Sequence, residues 1–200
     1  IVLSVVFKLD CINNIKKKLK TLEYQKEAIK NVEKEFKLSN KGQLIMACGS
    51  GKTLTALQIK EKINANKVLY LLPSLNLINQ TLKEWVSYGQ IYFKPLCVCS
   101  DSTTSEIIEK KDKWLFSKED IGIPVLNSPI QISEYLEGQL NYVIFCTYQS
   151  TSLVLEAQKK GSLKEFDITF CDEAHNCAGN GFKRSGLILD PKKIRSNKRL

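Results

Sequence analysis

Residues 44–60 read LIMACGSGKTLTALQIK. An apolar run breaks into a Gly-Ser-Gly turn, and the chain leaves that turn with apolar positions at helical spacing. A strand, a glycine-rich turn, and then Lys and Thr at a helix start make the geometry of a phosphate loop. Backbone N–H groups in such a turn, with the free donors of the first helical turn, converge on an anion. Gly49 and Gly51 permit backbone angles and a close approach that side chains would block. Lys52 can place a point charge on the outer phosphates, and the Thr53 hydroxyl can ligate Mg²⁺. The strict eight-residue pattern starts with Gly, and here that position is Met46.

A second stretch, FDITFCDEAHNCAG at 166–179, supplies the complementary chemistry. Asp172 and Glu173 stand at the end of an apolar strand pattern, and the C-terminal edge of a parallel sheet is where such folds bind ligands. A carboxylate there can hold Mg²⁺ opposite the Thr53 hydroxyl. Its neighbour can orient and activate water, the step that separates an NTPase from a nucleotide binder.

Between and around these two stretches the chain alternates. Apolar positions at helical spacing predict a helix over 14–37 (Ile15, Leu19, Leu22, Ala28, Ile29, Val32, Phe36). Strands are expected at 43–48, 67–72, 95–99, 142–146 and 166–171, with helices at about 52–63 and 74–87, the latter opened by Pro73-Ser74. Short, nearly continuous apolar strands alternating with helices predict an α/β fold of three layers, a mostly parallel sheet covered by helices on both faces. Residues 100–140 interrupt the rhythm as a polar insertion with one helix at about 129–138. Two hundred residues suffice for one such domain, spanning 1–200, with residues 1–41 as an N-terminal helical segment.

The net charge of +9 is unevenly spread. Residues 1–41 carry ten Lys and five acids, 183–200 carry seven Lys/Arg against Asp190, and 42–182 are slightly acidic with 13 basic and 15 acidic residues. The excess at the ends is read either as solvated basic segments or as a nucleic-acid surface. The seven cysteines contain no CxxC pair and suit a reducing, cytoplasmic setting. Cys171, His175 and Cys177 have no zinc-ligand spacing. The opening IVLSVVF is too short for a membrane span and lacks the features of a signal peptide, so no membrane partner is expected.

Taken together, these motifs resemble superfamily 2 helicases and translocases. Asp172-Glu173-Ala174-His175 is similar to the DEAH form of motif II, and Met46–Thr53 to motif I, where an initial Met is ordinary. YQKEAI (Tyr24 to Ile29) resembles the upstream glutamine motif, LLPSLNLINQ (Leu71 to Gln80) motif Ia, and FCTYQS (Phe145 to Ser150) motif Ib. The resemblance covers about residues 20–180. It implies a RecA-like phosphate-loop lobe that takes ATP and Mg²⁺. The implied cofactor-binding residues are Tyr24, Gln25 (as adenine reader), Cys48, Gly49, Ser50, Gly51, Lys52 and Thr53. It also implies Lys52, Asp172, Glu173 and His175 in catalysis, Thr53 and Asp172 on the metal, and Pro73, Ser74, Thr147 and Gln149 near a nucleic-acid backbone. A carboxamide suits adenine because it can donate to N7 and accept from N6 at once.

Within the superfamily, the Tyr-Gln opening, VCSD at 98–101, TYQS and DEAHNCAG look most like motor domains of bacterial restriction enzymes and related helicases, which move along duplex DNA. The implied partners are DNA, bound through its backbone, a second motor lobe, and nuclease or methyltransferase domains or subunits. An RNA helicase lobe and a nucleotide-gated nucleic-acid-binding module without translocation are the alternatives. SNKRL at 196–200 is expected to lead into the motif III strand, and the second lobe with its arginine finger is expected beyond this chain. The isolated lobe is therefore expected to be nearly inactive.

Overall fold

A computed structural model of the chain describes residues 19–99, 122–161, 163–174 and 193–200. Helix α1 spans Glu23–Glu35, α2 Lys52–Lys62, α3 Leu75–Tyr88, α4 Pro129–Leu136 and α5 Thr151–Lys159. Strand β1 spans Lys67–Leu72, β2 Lys94–Val98, β3 Val125–Leu126, β4 Tyr142–Thr147, β5 Phe166–Cys171 and β6 Ser196–Arg199. These six strands form one sheet in the order β3-β2-β4-β1-β5-β6, and every pair in it is parallel. The expected three-layer α/β fold is thus present.

The layering follows from strand periodicity. Successive side chains point to opposite faces, so a strand covered on both sides must be apolar throughout. In β1, Val68, Tyr70 and Leu72 join one core with Leu57 and Ile59 of α2 and Ile78 and Trp85 of α3. Leu69 and Leu71 join the other, with Ile132 of α4 and Val154 of α5. The β1 residues from Val68 to Leu72 are all buried, Tyr70 included. Each fully buried side chain of this size is worth about 1.5–3 kcal/mol relative to exposure. On the first face Trp85 meets Tyr70 edge-on, ring centroids 5.2 Å apart, and Phe145 at 5.7 Å.

Several boundaries differ from the sequence reading. The N-terminal helix begins at Glu23, where the Gln25 Oε1 accepts from the Leu22 N–H at 3.0 Å, and the remainder of its expected span up to residue 18 lies outside the described residues. The run at 43–48, expected as a strand, has only one parallel bridge beside it, Lys41 with Arg199. Gly42 N–H donates to the Arg199 carbonyl at 2.9 Å, but that bridge falls on the last residue of β6. The run therefore passes beyond the ladder and enters the loop as irregular backbone. The polar insertion is not wholly outside the sheet, since Val125–Leu126 pairs with Cys97–Val98 and adds the edge strand β3.

Candidate functional site

The site lies where the chain leaves the C-terminal ends of β4, β1 and β5. Leu72 pairs with Thr147, and Leu71 pairs with Cys171. Register alone therefore brings Pro73, Tyr148 and Asp172 out of the sheet at one level. The carbonyl of Leu71 also accepts from the Asp172 N–H at 3.0 Å, fixing the first residue after β5.

Facing these ends is the 47–53 loop. Ser50 closes the turn by donating from its Oγ to the Ala47 carbonyl at 2.6 Å. Gly49 and Gly51 have φ of 74° and 80°, the left-handed region in which residues with a Cβ are strained. Gly51 is the N-cap of α2, so the helix starts at Lys52 and its first-turn N–H groups face the loop. A Cβ on Gly51 would fall 2.6 Å from the Gln25 Nε2. The dihedral thus favours glycine there, and a Cβ would push the Gln25 carboxamide from its place.

Gln25 is buried, at 7% exposure, and donates from Nε2 to the Ser50 carbonyl at 3.0 Å. Tyr24 donates from its hydroxyl to the same carbonyl at 3.0 Å. Tyr24 and Gln25 therefore both reach the loop, although 26 and 25 positions separate them from Ser50. Each carboxamide atom retains a second hydrogen-bonding position. Cys48 is exposed on the loop with a free thiol.

Lys52 Nζ lies 3.4 Å from Glu173 Oε1, across 121 positions of sequence. Both side chains are about one-third exposed, at 32% and 36%, so each is open to a ligand. Asp172 receives the Glu173 N–H on its own Oδ1 at 3.0 Å. Burial pushes the Asp172 carboxyl above the ordinary carboxylate range, the Glu173 N–H pulls it back, the Glu173 charge raises it, and Lys52 lowers it. Thr53 and Asp172 offer hard oxygen donors, the type that Mg²⁺ takes. A cavity of about 310 Å³ beside this group is lined by Lys52, Asp172 and Glu173 together with Leu44, Tyr70 and Phe170.

Of the residues assigned to a nucleic-acid track, Pro73 and Ser74 are partly exposed at the end of β1, and Ser74 caps α3 by accepting from the Leu77 N–H at 3.4 Å. Gln149 is exposed on the 3₁₀ turn Tyr148–Ser150 after β4. Thr147 is 1% exposed and donates from Oγ1 to the Ser150 Oγ at 2.9 Å, so it shapes the turn from beneath while Gln149 stands on its surface. His175 lies outside the described residues.

Two residues of this site had no motif role. Tyr148 donates from its hydroxyl to the Asp172 carbonyl at 2.6 Å. Trp85 donates from Nε1 to the Thr53 carbonyl at 3.0 Å, tying α3 to the first turn of α2. Neither is visible in spacing, because both depend on which strands and helices become neighbours. No helix among the described residues is long and apolar enough to cross a membrane.

Comparison with known proteins accords with this geometry. The family of the Type III restriction enzyme, res subunit, matches residues 18–196. The probable helicase A859L of African swine fever virus is 32% identical over 156 residues, in both the Tick/Malawi/Lil 20-1/1983 isolate and the Vero-adapted Badajoz 1971 strain. That match covers 78% of this chain and 16% of the viral protein, so the chain spans about a sixth of its relative's length. Among solved structures, the ATP-dependent Type ISP restriction-modification enzyme LlaBIII bound to DNA is similar at TM-score 0.78 and 32% identity, covering 92% of this chain and 12% of that one. A nuclease-deletion mutant of the Type ISP enzyme LlaGI, in complex with a DNA substrate mimic, gives 0.73 and 33%, covering 90% and 17%. The match spans nearly the whole chain, and the chain belongs to the family of the Type III restriction enzyme res subunit.

Proposed function

We propose that this chain is the ATP-binding lobe of a DNA translocase of the restriction-enzyme type, in which Mg-ATP hydrolysis drives movement along duplex DNA once a second lobe closes the cleft. The observation that carries this reading is the meeting of Lys52 and Glu173 at 3.4 Å, which joins the phosphate loop to the paired carboxylates. Lys52 would pass from Glu173 to the outer phosphates, leaving Glu173 to orient water. Thr53 and Asp172 would hold Mg²⁺, which supplies charge neutralisation at the β- and γ-phosphates. Gln25, held against the loop, would read adenine with its remaining donor and acceptor positions. His175, the last residue of DEAH, is assigned with them.

DNA as the track is supported by the two Type ISP relatives, both described with DNA or a DNA mimic. Pro73, Ser74 and Gln149 sit on the same sheet edge as the carboxylates, which suits backbone contacts coupled to the nucleotide. Such contacts position the protein without reading sequence. Nuclease or methyltransferase units would be the other partners.

Binding of duplex DNA by this lobe is expected to be independent of sequence. The Kd should fall on the order of 10⁻⁴ to 10⁻⁶ M, and affinity should drop steeply with salt. Titration of labelled duplexes of two unrelated sequences, at low and physiological salt, measures this. Equal, salt-sensitive affinities support the reading. Tight, salt-insensitive binding of one sequence contradicts it, and a preference for duplex RNA would shift the assignment to an RNA motor.

A further inference from the structure

The peptide between Asp172 and Glu173 is held at both ends. Its N–H bonds the Asp172 carboxylate at 3.0 Å, and its carbonyl accepts the Tyr148 hydroxyl at 2.6 Å. The orientation of this peptide sets the φ of Glu173, which is +52°, in the left-handed region that non-glycine residues seldom occupy. Strain of this type persists only where the surroundings over-determine it, and it gathers at functional sites. The Asp172 clamp is conditional, because the same carboxylate is the one assigned to Mg²⁺. The Tyr148 clamp is independent of that assignment.

Tyr148 is itself fixed from the other side. It opens the 3₁₀ turn that carries Gln149 on its surface, and its carbonyl accepts from the Thr151 Oγ1 at 2.6 Å. The Thr147 and Ser150 hydroxyls close the same turn at 2.9 Å. The Tyr148 ring is 5% exposed and packs in the core shared by Leu71, Cys146 and Val154. Since β1 lies between β4 and β5, the hydroxyl reaches past the end of β1 to the peptide beyond β5. A displacement of the turn therefore moves the carbonyl that aims Glu173.

We propose that Tyr148 is a positioning residue that transmits DNA engagement at the Gln149 turn to the water-orienting Glu173, through its hydroxyl on the Asp172 carbonyl. This rests on the motor reading given above. Tyr148→Phe keeps the ring and its packing and removes only the hydroxyl. In the complete two-lobed motor, the DNA-stimulated kcat is expected to fall about five- to tenfold, the worth of one neutral hydrogen bond realised in the transition state. The KM for ATP and the Kd for duplex DNA should stay within about twofold of wild type, since the hydroxyl is engaged on the Asp172 carbonyl and the ring is buried. Turnover is counted per active site, titrated with a non-hydrolysable ATP analogue, so that a purely structural loss leaves kcat unchanged. An unchanged kcat overturns the proposal. So does a loss of DNA affinity that matches the loss of rate, which would make Tyr148 part of the binding surface. A wild-type motor that duplex DNA fails to stimulate would overturn the functional reading and this coupling with it, whereas equal stimulation of both proteins would overturn the coupling alone.

Discussion

On its own, this 200-residue chain is expected to bind Mg-ATP yet release phosphate about 10³- to 10⁵-fold more slowly than the proposed two-lobed motor. Phosphoryl transfer depends on positioning and on cancelling the charge that develops around the γ-phosphate. The chain supplies the loop, Lys52, the oxygen donors Thr53 and Asp172, and Glu173. Among the described residues it supplies no arginine to the site. Arg195 donates to the carbonyls of Gln158 and Leu163, and Arg199 to those of Ser196 and Ile194. An arginine finger from a facing lobe is worth about 4 to 7 kcal/mol of barrier, the range given above for turnover. Its charge counts most in the transition state, so binding suffers far less than rate. Steady-state phosphate release, with and without duplex DNA, is the check. Robust DNA-stimulated turnover by this chain, above about 1 per second, a rate within the ordinary range for complete enzymes, would place a complete site within it.

The second large effect belongs to Glu173. In the proposed two-lobed motor, Glu173→Gln keeps the shape of the side chain but removes the carboxylate assigned to activate the attacking water. General-base catalysis is worth roughly 10² to 10⁴ in rate, and turnover should fall by that factor. Nucleotide binding should persist or tighten slightly, because Lys52 loses its competing partner at 3.4 Å. In the single lobe the same substitution should scarcely change the residual rate, since among the described residues no arginine reaches the site to support turnover. A full-rate Gln variant of the complete motor would remove Glu173 from the chemistry.

How much of this was legible beforehand depends on the range of the interactions. The fold was written in local pattern, because strands buried on both faces must be apolar throughout, as KVLYLL and YVIFC are. The loop and the Asp-Glu pair could be picked out as a candidate site because the chemistry assigned to them demands particular residue types at fixed spacing, and the structure brings Lys52 to Glu173. The strand expected at 43–48 failed for a non-local reason: apolar character creates strand propensity, but a strand also needs a ladder, and the one bridge here ends with β6. Helix α5 went unread because it follows β4 after a single 3₁₀ turn, directly beyond the residues that read as a motif. Tyr148 was inside that quoted motif, but its hydrogen bond to Asp172 spans 24 positions and exists only because β4 and β5 flank β1. Thr147 illustrates the converse: membership of a motif did not reveal that its hydroxyl points inward, to Ser150.

The central claim is that the 47–53 loop and the Asp172-Glu173 pair form one Mg-ATP site with Lys52 as its cation. It is tested most directly by equilibrium titration of this chain and its Lys52→Ala variant with Mg-ATP and Mg-ADP. The predicted result is a single saturable site in the wild type. Loss of one charge-assisted contact, worth about 1.5 to 3 kcal/mol, should weaken ATP binding roughly tenfold to 150-fold in the variant, and ADP binding less. Equal affinities of both nucleotides for both proteins would contradict the site.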